Sequence, residues 1–524
     1  MWRPRLKPIR VAGALAVGGG LTLALLDFRS AAPAPLGHWL ASVQLVPAAV
    51  ALATGVGLVA AVIAGMILVG TLLVGRVYCS VVCPLGVLQD VIPRLALRRR
   101  QPRLPHAQPK NALRYGFLGL CVAGVAAGWG GLTLALLDPY SHFGRIATGL
   151  FQPLLVLANN AIVGLGERLG VPLLYRVEAP WLGWGALALP LFMLTLVGML
   201  AVWRGRLFCN TVCPVGTLLG LMARRGAWRL TLDRAACHKC GNCLQACKAQ
   251  CIDLRAGAID VSRCVACYNC VDVCAERAIA YRFAWIAPAR KLGTAAATPA
   301  DLGRRTFIAD ATVLAVATMS MTPPPPAAAK PVPVVDDNRS GAVCPPGAGS
   351  VERYLSRCTA CHLCVSACPT HVLRPALFEY GVAGMLRPRL DFNRAFCNYD
   401  CRRCGEVCPD GAIALLDLPE KHVTRIGRSV FTEDLCVVKK KGTDCSACSE
   451  HCPTKAVDPV PYRGNLRLPA LKAELCIGCG ACEFACPVVP EKAITVNGRR
   501  RHERAQKPVE KPLAPAPAAK DFPF

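Results

Sequence analysis

The sequence predicts a multidomain protein in which an all-α four-helix transmembrane bundle is joined to small, cysteine-rich α+β domains. The chain has 524 residues, of which 53% are hydrophobic and only 18% charged, and its mean hydropathy is +0.38. These values are too apolar for a wholly soluble protein and too polar for one that lies entirely in a bilayer. Most of its 31 cysteines follow the apolar half in tight C-x-x-C spacing, which suits metal ligands better than disulfides.

Four uncharged stretches account for the predicted bundle, because a spanning helix needs about 20 apolar residues. Basic residues before the first stretch and after the second place both flanks in the cytoplasm. A fifth stretch, 146–164, carries amides and would break that charge pattern, so we predict a partly buried or interfacial helix on the periplasmic side. The four predicted spans are residues 11–26, 45–75, 116–137 and 181–203.

A twelve-residue element occurs twice in the membrane half. Residues 75–86 read GRVYCSVVCPLG, and residues 205–216 read GRLFCNTVCPVG. This internal repeat predicts two Cys-x₃-Cys-Pro elements at the cytoplasmic surface. Their four cysteines could bind a shared metal or cluster, form redox-active pairs or stay reduced, and the spacing leaves all three open. The cysteines are Cys79, Cys83, Cys209 and Cys213.

Two motifs after the last span have the C-x₂-C-x₂-C-x₃-C spacing of a bacterial two-cluster ferredoxin. In that arrangement three close cysteines hold one [4Fe–4S] cluster and the fourth crosses to the other. Lys248 and Ala275 replace the proline that usually follows the fourth cysteine, and Cys251 is predicted to be an inert core thiol, with substitution as a ligand as the alternative. The predicted ligands are Cys237, Cys240, Cys243 and Cys274 for one cluster, and Cys264, Cys267, Cys270 and Cys247 for the other.

Four more motifs lie after residue 340, and each ends in Cys-Pro. The chain is therefore predicted to hold about six [4Fe–4S] clusters in ferredoxin-like domains. Zinc is the alternative for any four-cysteine set, although its sites usually come from paired C-x₂-C elements. Residues 358–362 also spell the C-x-x-C-H of a c-type haem, but a ferredoxin motif surrounds them. The ligands are Cys358, Cys361, Cys364, Cys368; Cys397, Cys401, Cys404, Cys408; Cys436, Cys445, Cys448, Cys452; and Cys476, Cys479, Cys482, Cys486.

The predicted domain organisation follows from these motifs. Between the two cysteine-rich regions, Arg304-Arg305 precedes an apolar run to Met321 and a Pro/Ala-rich stretch, which resembles a twin-arginine export signal. An ordinary linker is the alternative. The domains are a membrane domain 1–230, a cytoplasmic two-cluster ferredoxin 231–285, a linker 286–343, a four-cluster domain 344–497 in the periplasm and a flexible basic tail 498–524.

These motifs together resemble known families. Residues 1–285 resemble the NapH-type membrane ferredoxin of periplasmic nitrate reductase systems, and residues 303–497 resemble its exported NapG-type partner and the related MauM proteins. In those systems the two are separate proteins, whereas here they are joined in one chain. The resemblance implies a multi-pass protein of the bacterial inner membrane. A further resemblance, to four-cluster subunits of molybdenum oxidoreductases, implies that the outer motifs exchange fourth cysteines with each other and the inner motifs do likewise; exchange between neighbours is the alternative.

Two functions are predicted. The first is transfer of electrons from the quinol pool to a periplasmic redox protein such as a c-type cytochrome or a reductase, as the resemblance implies. The alternative is an accessory or maturation factor that supplies electrons for assembly of a periplasmic metallo- or quinoprotein. Asp138, Tyr140, His142 and Arg145 are predicted to form a capped helix end, and a quinone pocket at the same residues is the alternative.

Other classes of function are excluded by what the sequence lacks. No histidine falls within the four apolar stretches, so transfer of electrons through the bilayer on haem b is not expected. There is no P-loop, no dinucleotide-binding glycine motif and no hydrolytic triad, so no catalytic residue is predicted. The formal charge of +27 is partly offset by anionic clusters and partly belongs to span flanks, so no nucleic-acid partner is predicted.

Overall fold

The computed structural model describes residues 6–29, 33–55, 58–96, 106–170, 174–177, 184–284 and 341–507. The membrane half is entirely helical in the described ranges, and a π-helical turn at Ala147–Phe151 joins α9 to α10. The helices are α1 (Leu6–Leu26), α2 (Ala34–Ser42), α3 (Leu45–Ala53), α4 (Leu58–Val74), α5 (Tyr78–Val81), α6 (Pro84–Ala96), α7 (Asn111–Ala126), α8 (Gly130–Leu137), α9 (Pro139–Ile146), α10 (Gln152–Arg168), α11 (Trp184–Arg204), α12 (Leu207–Thr211) and α13 (Pro214–Ala223).

The first cysteine region, residues 228–284, is a small α+β unit built on two antiparallel strand pairs, β1 with β4 and β2 with β3. Strand β1 pairs with β4 from Trp228 opposite Phe283 to Leu232 opposite Ile279. Pairing of the first strand with the last closes the unit around its cysteines. Its elements are β1 (Trp228–Leu232), α14 (Asn242–Ala246), β2 (Ile252–Asp253), β3 (Ala258–Ile259), α15 (Asn269–Asp272) and β4 (Ile279–Phe283).

The second cysteine region, residues 341–507, contains three further antiparallel pairs, β5 with β6, β7 with β10 and β8 with β9. Its helices are short, as expected for loops that wrap clusters. They are Val351–Arg357, Leu363–Ser366, Arg403–Val407, Leu418–Val423, Val437–Lys441, Ala447–Glu450 and Ala481–Ala485, with 3₁₀ turns at Val382–Gly384 and Glu433–Leu435. The strands are β5 (Leu373–Pro375), β6 (Pro388–Leu390), β7 (Thr424–Phe431), β8 (Val457–Pro461), β9 (Arg467–Leu471) and β10 (Ile494–Arg504).

The structure agrees with the four predicted spans only in part. By length and composition, three helices in the described residues could cross a membrane: Leu6–Leu26, Pro139–Arg168 and Leu187–Arg204. The bent pair of α2 and α3, with an 87° angle, could be a broken span or a re-entrant loop.

Two of the predicted spans are interrupted. The stretch 45–75 is divided into α3 and α4, and the stretch 116–137 lies across α7 and α8. Gly55 and Gly128 adopt left-handed backbone at these breaks, with φ of 75° and 81°. Glycine is the residue that most easily ends a helix in this conformation, which explains why an unbroken apolar stretch does not give an unbroken helix.

The two cysteine regions contact opposite ends of α1. Lys7, at its start, forms a 3.0 Å ion pair with Asp272 of the first region. At its end, the carbonyl oxygen of Leu25 accepts a 2.8 Å hydrogen bond from Ser366 Oγ of the second region. A helix of 21 residues is about 30 Å long, which matches the hydrocarbon thickness of a bilayer.

The continuous helix 139–168 is long and apolar enough to span, so its polarity did not justify excluding it. Two of its contacts lie at the end of α1, although His142 also packs against Phe208 of α12. Gly144 packs against the carbonyl of Cys361, and Asn159 accepts a hydrogen bond from Arg29, which follows the end of α1. The interfacial interpretation therefore remains a prediction that these contacts favour.

The prediction that residues 498–524 form a flexible tail is wrong for residues 498–504. Strand β10 runs to Arg504 and pairs with β7, with Glu503 opposite Arg425 and Arg504 opposite Thr424. Residues 498–504 thus belong to the second cysteine region, because they continue strand β10, although the alternation of buried and partly exposed positions ends near residue 499. The predicted linker up to residue 340 and its twin-arginine segment lie outside the described residues.

Candidate metal centres

Four of the six motifs wrap their cysteines with the same backbone pattern. The residues two and four positions after the first cysteine both adopt left-handed backbone, even where they are bulky. When every second residue of a loop has left-handed backbone, successive backbone N–H groups point towards one place. Such an arrangement, called a nest, can bind an anion such as a thiolate-ligated cluster. The residues are Lys239 and Gly241, Ala266 and Tyr268, Ala360 and His362, and Gly478 and Gly480.

A second recurrent turn follows the fourth cysteine. In five of the six motifs the third residue after it has positive φ. The N–H of Gln250 donates to the Cys247 carbonyl at 3.3 Å, and that of His371 donates to the Cys368 carbonyl at 3.1 Å. Strained backbone persists only where the surroundings require it, so this repetition supports the ferredoxin interpretation of the motifs. The five residues are Gln250, Arg277, His371, Gly411 and Lys455.

Six sets of four cysteines come together, and each is named here by one member. In the first region the exchange of fourth cysteines is the predicted one, since each fourth cysteine is close enough to the other motif to interact electrostatically with it. The sets are the Cys240 set (237, 240, 243, 274), the Cys267 set (264, 267, 270, 247), the Cys361 set (358, 361, 364, 408), the Cys401 set (397, 401, 404, 368), the Cys445 set (436, 445, 448, 486) and the Cys479 set (476, 479, 482, 452).

The second region contradicts the exchange implied by molybdenum oxidoreductase subunits. Cys408 lies with the first motif and Cys368 with the second, and the third and fourth motifs also exchange between neighbours. The physical reason is a buried contact, because the backbone N–H and hydroxyl of Thr359 both donate to Asp410, at 3.1 and 2.6 Å. This contact ties the loop of the first motif to the end of the second.

The thiols fit clusters better than single ions. Burial raises the pKa of Cys408 to about 12 and that of Cys479 to about 12, so these ligands ionise only when bound iron compensates the charge. In the described ranges no group of three or more His, Cys, Asp or Glu is close enough to hold one metal ion. Four thiolates on one Zn²⁺ at about 2.3 Å would lie within about 4 Å of one another. Four thiols in each set, all buried or partly buried except Cys240 and wrapped by ferredoxin-type turns, suit a [4Fe–4S] cluster, which when bound supplies reversible one-electron transfer.

The sets form a series that starts at the helices. The Cys361 loop lies against Gly144 of α9, and the N–H of Cys397 donates to the carbonyl of Cys479 at 2.9 Å. The order outwards is therefore the Cys361, Cys401, Cys479 and Cys445 sets. In the first region the Cys267 set lies next to the helices, because Lys248 pairs with Asp90 of α6 at 3.0 Å, and the Cys240 set is outermost with Cys240 exposed.

Cys251 is buried in the first region, with its Sγ 3.6 Å from the Sγ of Cys247. It is also close enough to Cys264, a second predicted ligand of the same set, to interact with it electrostatically. A thiol in this position can hydrogen-bond to ligand sulfur, which is one of the factors that set a cluster's potential. Whether it is itself a ligand stays a prediction.

The structure has the predicted capped helix end at Asp138. Asp138 is the N-cap of α9 and accepts hydrogen bonds from the backbone N–H groups of Tyr140 and Ser141, at 3.3 and 2.9 Å. His142 Nδ1 lies 2.8 Å from a guanidinium nitrogen of Arg145. All of these side chains are buried against the second cysteine region. Asp138 caps the helix, as a carboxylate at an N-cap does, whereas Tyr140 Oη and Arg145 Nε and Nη1 are buried with no hydrogen-bond partner among the described residues.

A cavity of about 480 Å³ lies elsewhere, where the helices meet the first cysteine region. His106 forms a 3.8 Å pair with Asp253, and its Nδ1 has no hydrogen-bond partner among the described residues. Sequence reasoning missed this site because its walls come from segments far apart in the chain. The lining includes His106, Lys110, Trp203, Asn210, Ala249 and Gln250.

Comparison with known proteins agrees with the cysteine geometry. The family described as 4Fe-4S binding domain matches residues 56–105 and 185–231, a second family of that description matches 470–489, and the 4Fe-4S dicluster domain matches 357–413. The methylamine utilization ferredoxin-type protein MauM of Paracoccus denitrificans is 32% identical over 30% of this chain and 70% of its own length. The chain belongs to the MauM/NapG family of ferredoxin-type proteins.

Other relatives are the ferredoxin-type proteins NapF and NapG of Escherichia coli K12. Each is 29% identical to this chain; the matches cover 31% and 29% of it, and 89% and 68% of the relatives. No solved structure matches the chain. The family membership confirms the predicted MauM/NapG resemblance. As a MauM/NapG-type protein, this chain is an iron–sulfur electron-transfer protein.

Proposed function

We propose that this chain oxidises membrane quinol and carries the electrons to a redox partner on the opposite face of the bilayer. The observation that supports this most strongly is the placement of two series of ligand sets at opposite ends of α1. A protein that only shuttled electrons in solution would not need a cysteine region at each end of a helix about 30 Å long. The proposed electron donor is the quinol dissolved in the lipid bilayer.

Four passes are part of this proposal, formed by α1, α4, α7 and α11. Helix α4 ends at Val74, whose carbonyl accepts a 2.9 Å hydrogen bond from Tyr281 of the first region. The turn before α4 ends near Thr54, whose carbonyl accepts a 3.1 Å bond from Arg357 of the second region. With 17 residues, α4 is about 25 Å long, which a locally thinner bilayer accommodates.

Helix α7 also connects the two cysteine regions, and its chain runs in the direction opposite to that of α4. Near its start, Arg114 donates to the carbonyl of Ser262 in the first region at 2.8 Å. Beyond its end, Gly131 packs against the carbonyl of Leu355 in the second region. Basic flanks favour the cytoplasm for the first region, so the second region is assigned to the periplasm of the inner membrane.

The cavity lined by His106 is the proposed quinol site. Its volume is in the range of small-molecule pockets, and Trp203 and Lys110 are residue types that gather at membrane surfaces. Oxidation of a quinol to a quinone releases two protons and two electrons. His106 would accept the two protons in turn and release each to solvent, to which its side chain is 28% exposed. The two electrons would leave one at a time to the Cys267 set, since Ala249 and Gln250 of the cavity wall follow Cys247.

Replacement of His106 with alanine should slow quinol oxidation by about a hundredfold, the usual cost of losing a general base. The measurement is the rate at which a quinol analogue reduces the clusters of the purified full-length protein, followed by loss of visible absorbance. His38→Ala is the matched control, because His38 lies in α2 at the other end of the bundle. Equal rates for wild type and His106→Ala, with iron content unchanged, would disprove the quinol site.

The outermost set in the second region is the proposed exit. Cys445 and Cys448 are partly exposed, and Lys440 and Lys441 next to this set are exposed. Positive side chains around an exit cluster favour a partner with an acidic docking surface. A periplasmic c-type cytochrome or reductase with such a surface is the proposed acceptor.

A second candidate is electron supply for assembly of a periplasmic metallo- or quinoprotein. The observation that favours it is that the MauM relatives are named for methylamine utilization. The electron path through the chain is the same in both proposals, and only the acceptor differs. Reduction of a mature cytochrome or reductase by the quinol-reduced chain supports the first, and reduction only of an immature precursor supports the second.

A further inference from the structure

The two Cys-x₃-Cys-Pro repeats are locked together by arginines that cross between them. Arg76 of the first repeat donates to the carbonyl of Cys209 in the second, at 3.4 Å. Arg206 of the second repeat donates to the carbonyl of Cys79 in the first, at 2.7 Å. The matched positions thus make matched contacts, as expected for two repeats related by a local pseudo-twofold axis.

The glycines of the repeats follow the same symmetry. A Cβ atom on Gly86 would lie 2.4 Å from the Cys79 carbonyl oxygen, and one on Gly216 would lie 2.1 Å from the Cys209 carbonyl oxygen. Both positions therefore require glycine, because any side chain would push the cysteine backbone and the crossing arginine apart. This close approach brings the two cysteine pairs together in the interior.

The four thiols form one buried group, called here the four-cysteine site. All six pairs of its thiols are close enough to interact electrostatically. As in the ferredoxin sets, they are not close enough to hold a single metal ion among the described residues. The exposed fractions are 3% for Cys79, 4% for Cys83, 3% for Cys209 and 3% for Cys213.

The surroundings of this site carry more positive than negative charge. Arg76 is fully buried, yet in the described part of the chain no carboxylate pairs with it. Three cations share Asp90: Arg10 at 2.5 Å, Arg206 at 2.9 Å and Lys248 at 3.0 Å. Lys248 and Arg76 also interact electrostatically with thiols of the Cys267 set, and Asp138 is a second buried carboxylate close to Tyr78. Buried charge is normally compensated by charge of the opposite sign, so we expect an anion to bind at the four-cysteine site. Four thiolates around a [4Fe–4S]²⁺ core carry a net charge of −2 and would supply it.

Specific contacts from this shell reach the sulfurs. A guanidinium nitrogen of Arg76 lies 3.7 Å from Cys79 Sγ. The side-chain amide of Gln89 donates to Cys209 Sγ at 3.1 Å, and the N–H of Gly216 donates to Cys213 Sγ at 3.3 Å. Hydrogen bonds to ligand sulfur are typical of iron–sulfur sites and stabilise the charged thiolates.

The site also lies between the two series of ligand sets. Arg76 donates to the carbonyl of Ser262 at 2.9 Å, two residues before Cys264 of the Cys267 set. One continuous buried cluster contains Cys267, Cys361 and three cysteines of the four-cysteine site, which are Cys79, Cys83 and Cys213. The aromatic members of this cluster near the site are Tyr78, Tyr140, Phe143 and Phe208.

We propose that the four-cysteine site holds one [4Fe–4S] cluster shared by the two repeats, and that this seventh cluster relays electrons between the two cysteine regions. Each of the two matched 4Fe-4S binding segments, 56–105 and 185–231, contains only two cysteines. Neither segment can supply four ligands alone, whereas the crossing arginines bring both pairs to one place. In the relay the reduced Cys267-set cluster returns from 1+ to 2+, the shared cluster goes from 2+ to 1+, and the electron then passes to the Cys361-set cluster. No bond is made or broken.

The iron content of the wild-type protein gives the first test. The anaerobically purified full-length chain should contain about 28 iron atoms and about 28 acid-labile sulfides, against about 24 of each for six clusters. A content of about 24 with the four thiols free, or with one zinc ion per chain, would overturn the shared cluster.

Paired variants give the second test, with a readout other than electron transfer. Cys79→Ser with Cys83→Ser, and Cys209→Ser with Cys213→Ser, should each remove about four irons, and all four changes together should remove no more. Cys121→Ser, a buried cysteine of α7 outside the site, should remove none. Additive losses from the two pairs would show separate sites and contradict sharing.

The relay role rests on the proposed function, whereas the cluster itself does not. A protein with about 28 irons whose paired variants lose four irons but keep wild-type transfer from quinol to the second cysteine region would support the site and overturn the relay. Loss of quinol oxidation in the wild type, with the same iron content, would count against the proposed function alone.

Discussion

Replacement of Cys361 with serine should reduce electron delivery to an acceptor at the second cysteine region by about a hundredfold or more. Cys361 belongs to the set that lies nearest the helices, so every electron in the proposed series must pass through it. Loss of a ligand should cost at least the upper end of what second-shell changes cost at metal sites. The rate is measured with a quinol analogue as donor and ferricyanide as acceptor.

In the proposed series, electrons must also pass through the Cys267 set in the first cysteine region. No histidine falls within the four predicted spans, so the sequence alone offers no haem route across the hydrocarbon core. With the four-cysteine site between the two regions, Cys267→Ser should block delivery as strongly as Cys361→Ser. Cys344→Ser, a buried cysteine of the second region outside the six sets, is the control. Wild-type delivery by an iron-loaded Cys267→Ser protein would show that electrons enter on the periplasmic side.

Replacement of Asp90 with alanine should destabilise the membrane domain by about 3–5 kcal/mol. Its carboxylate is the shared partner of Arg10, Arg206 and Lys248, and all four groups are largely buried. Removal of one partner from a buried ion pair leaves uncompensated charge in a region that cannot solvate it. The free energy of unfolding is measured by denaturant titration of the protein in detergent.

The control for Asp90 is an exposed ion pair in the same domain. Glu167 and Arg176 lie 3.0 Å apart, and their side chains are 51% and 66% exposed. Glu167→Ala should therefore change stability by only about 0–1 kcal/mol. If the two variants lose the same amount, Asp90 does not hold the helices and the first cysteine region together.

The sequence alone identifies the candidate ligands, because cysteine spacing is a local property. The first region also shows the predicted exchange of Cys247 and Cys274, since its two motifs are close in the chain. The exchange in the second region depends on tertiary contacts such as Thr359 with Asp410, which no spacing encodes. Resemblance to another protein class therefore gave the wrong partners there.

In the membrane half, too, some features could be predicted from the sequence and others could not. The repeat predicted that two cysteine pairs face each other, and the structure brings them together in the interior. The crossing of Arg76 and Arg206 could not be read from the sequence, because both also fit the role of flanking charges at a membrane surface. Likewise, an apolar count cannot detect the helix breaks at Gly55 and Gly128, which depend on backbone conformation.

The central claim is that electrons pass through this chain from one face of the bilayer to the other. It is tested most directly in sealed vesicles that contain the full-length protein, with ferricyanide trapped inside and a membrane-impermeant reductant added outside. The account predicts that trapped ferricyanide is reduced in vesicles with the wild-type protein and not in vesicles with Cys361→Ser or without protein. Retention of the trapped ferricyanide, while the clusters on the outer face become fully reduced, would contradict it.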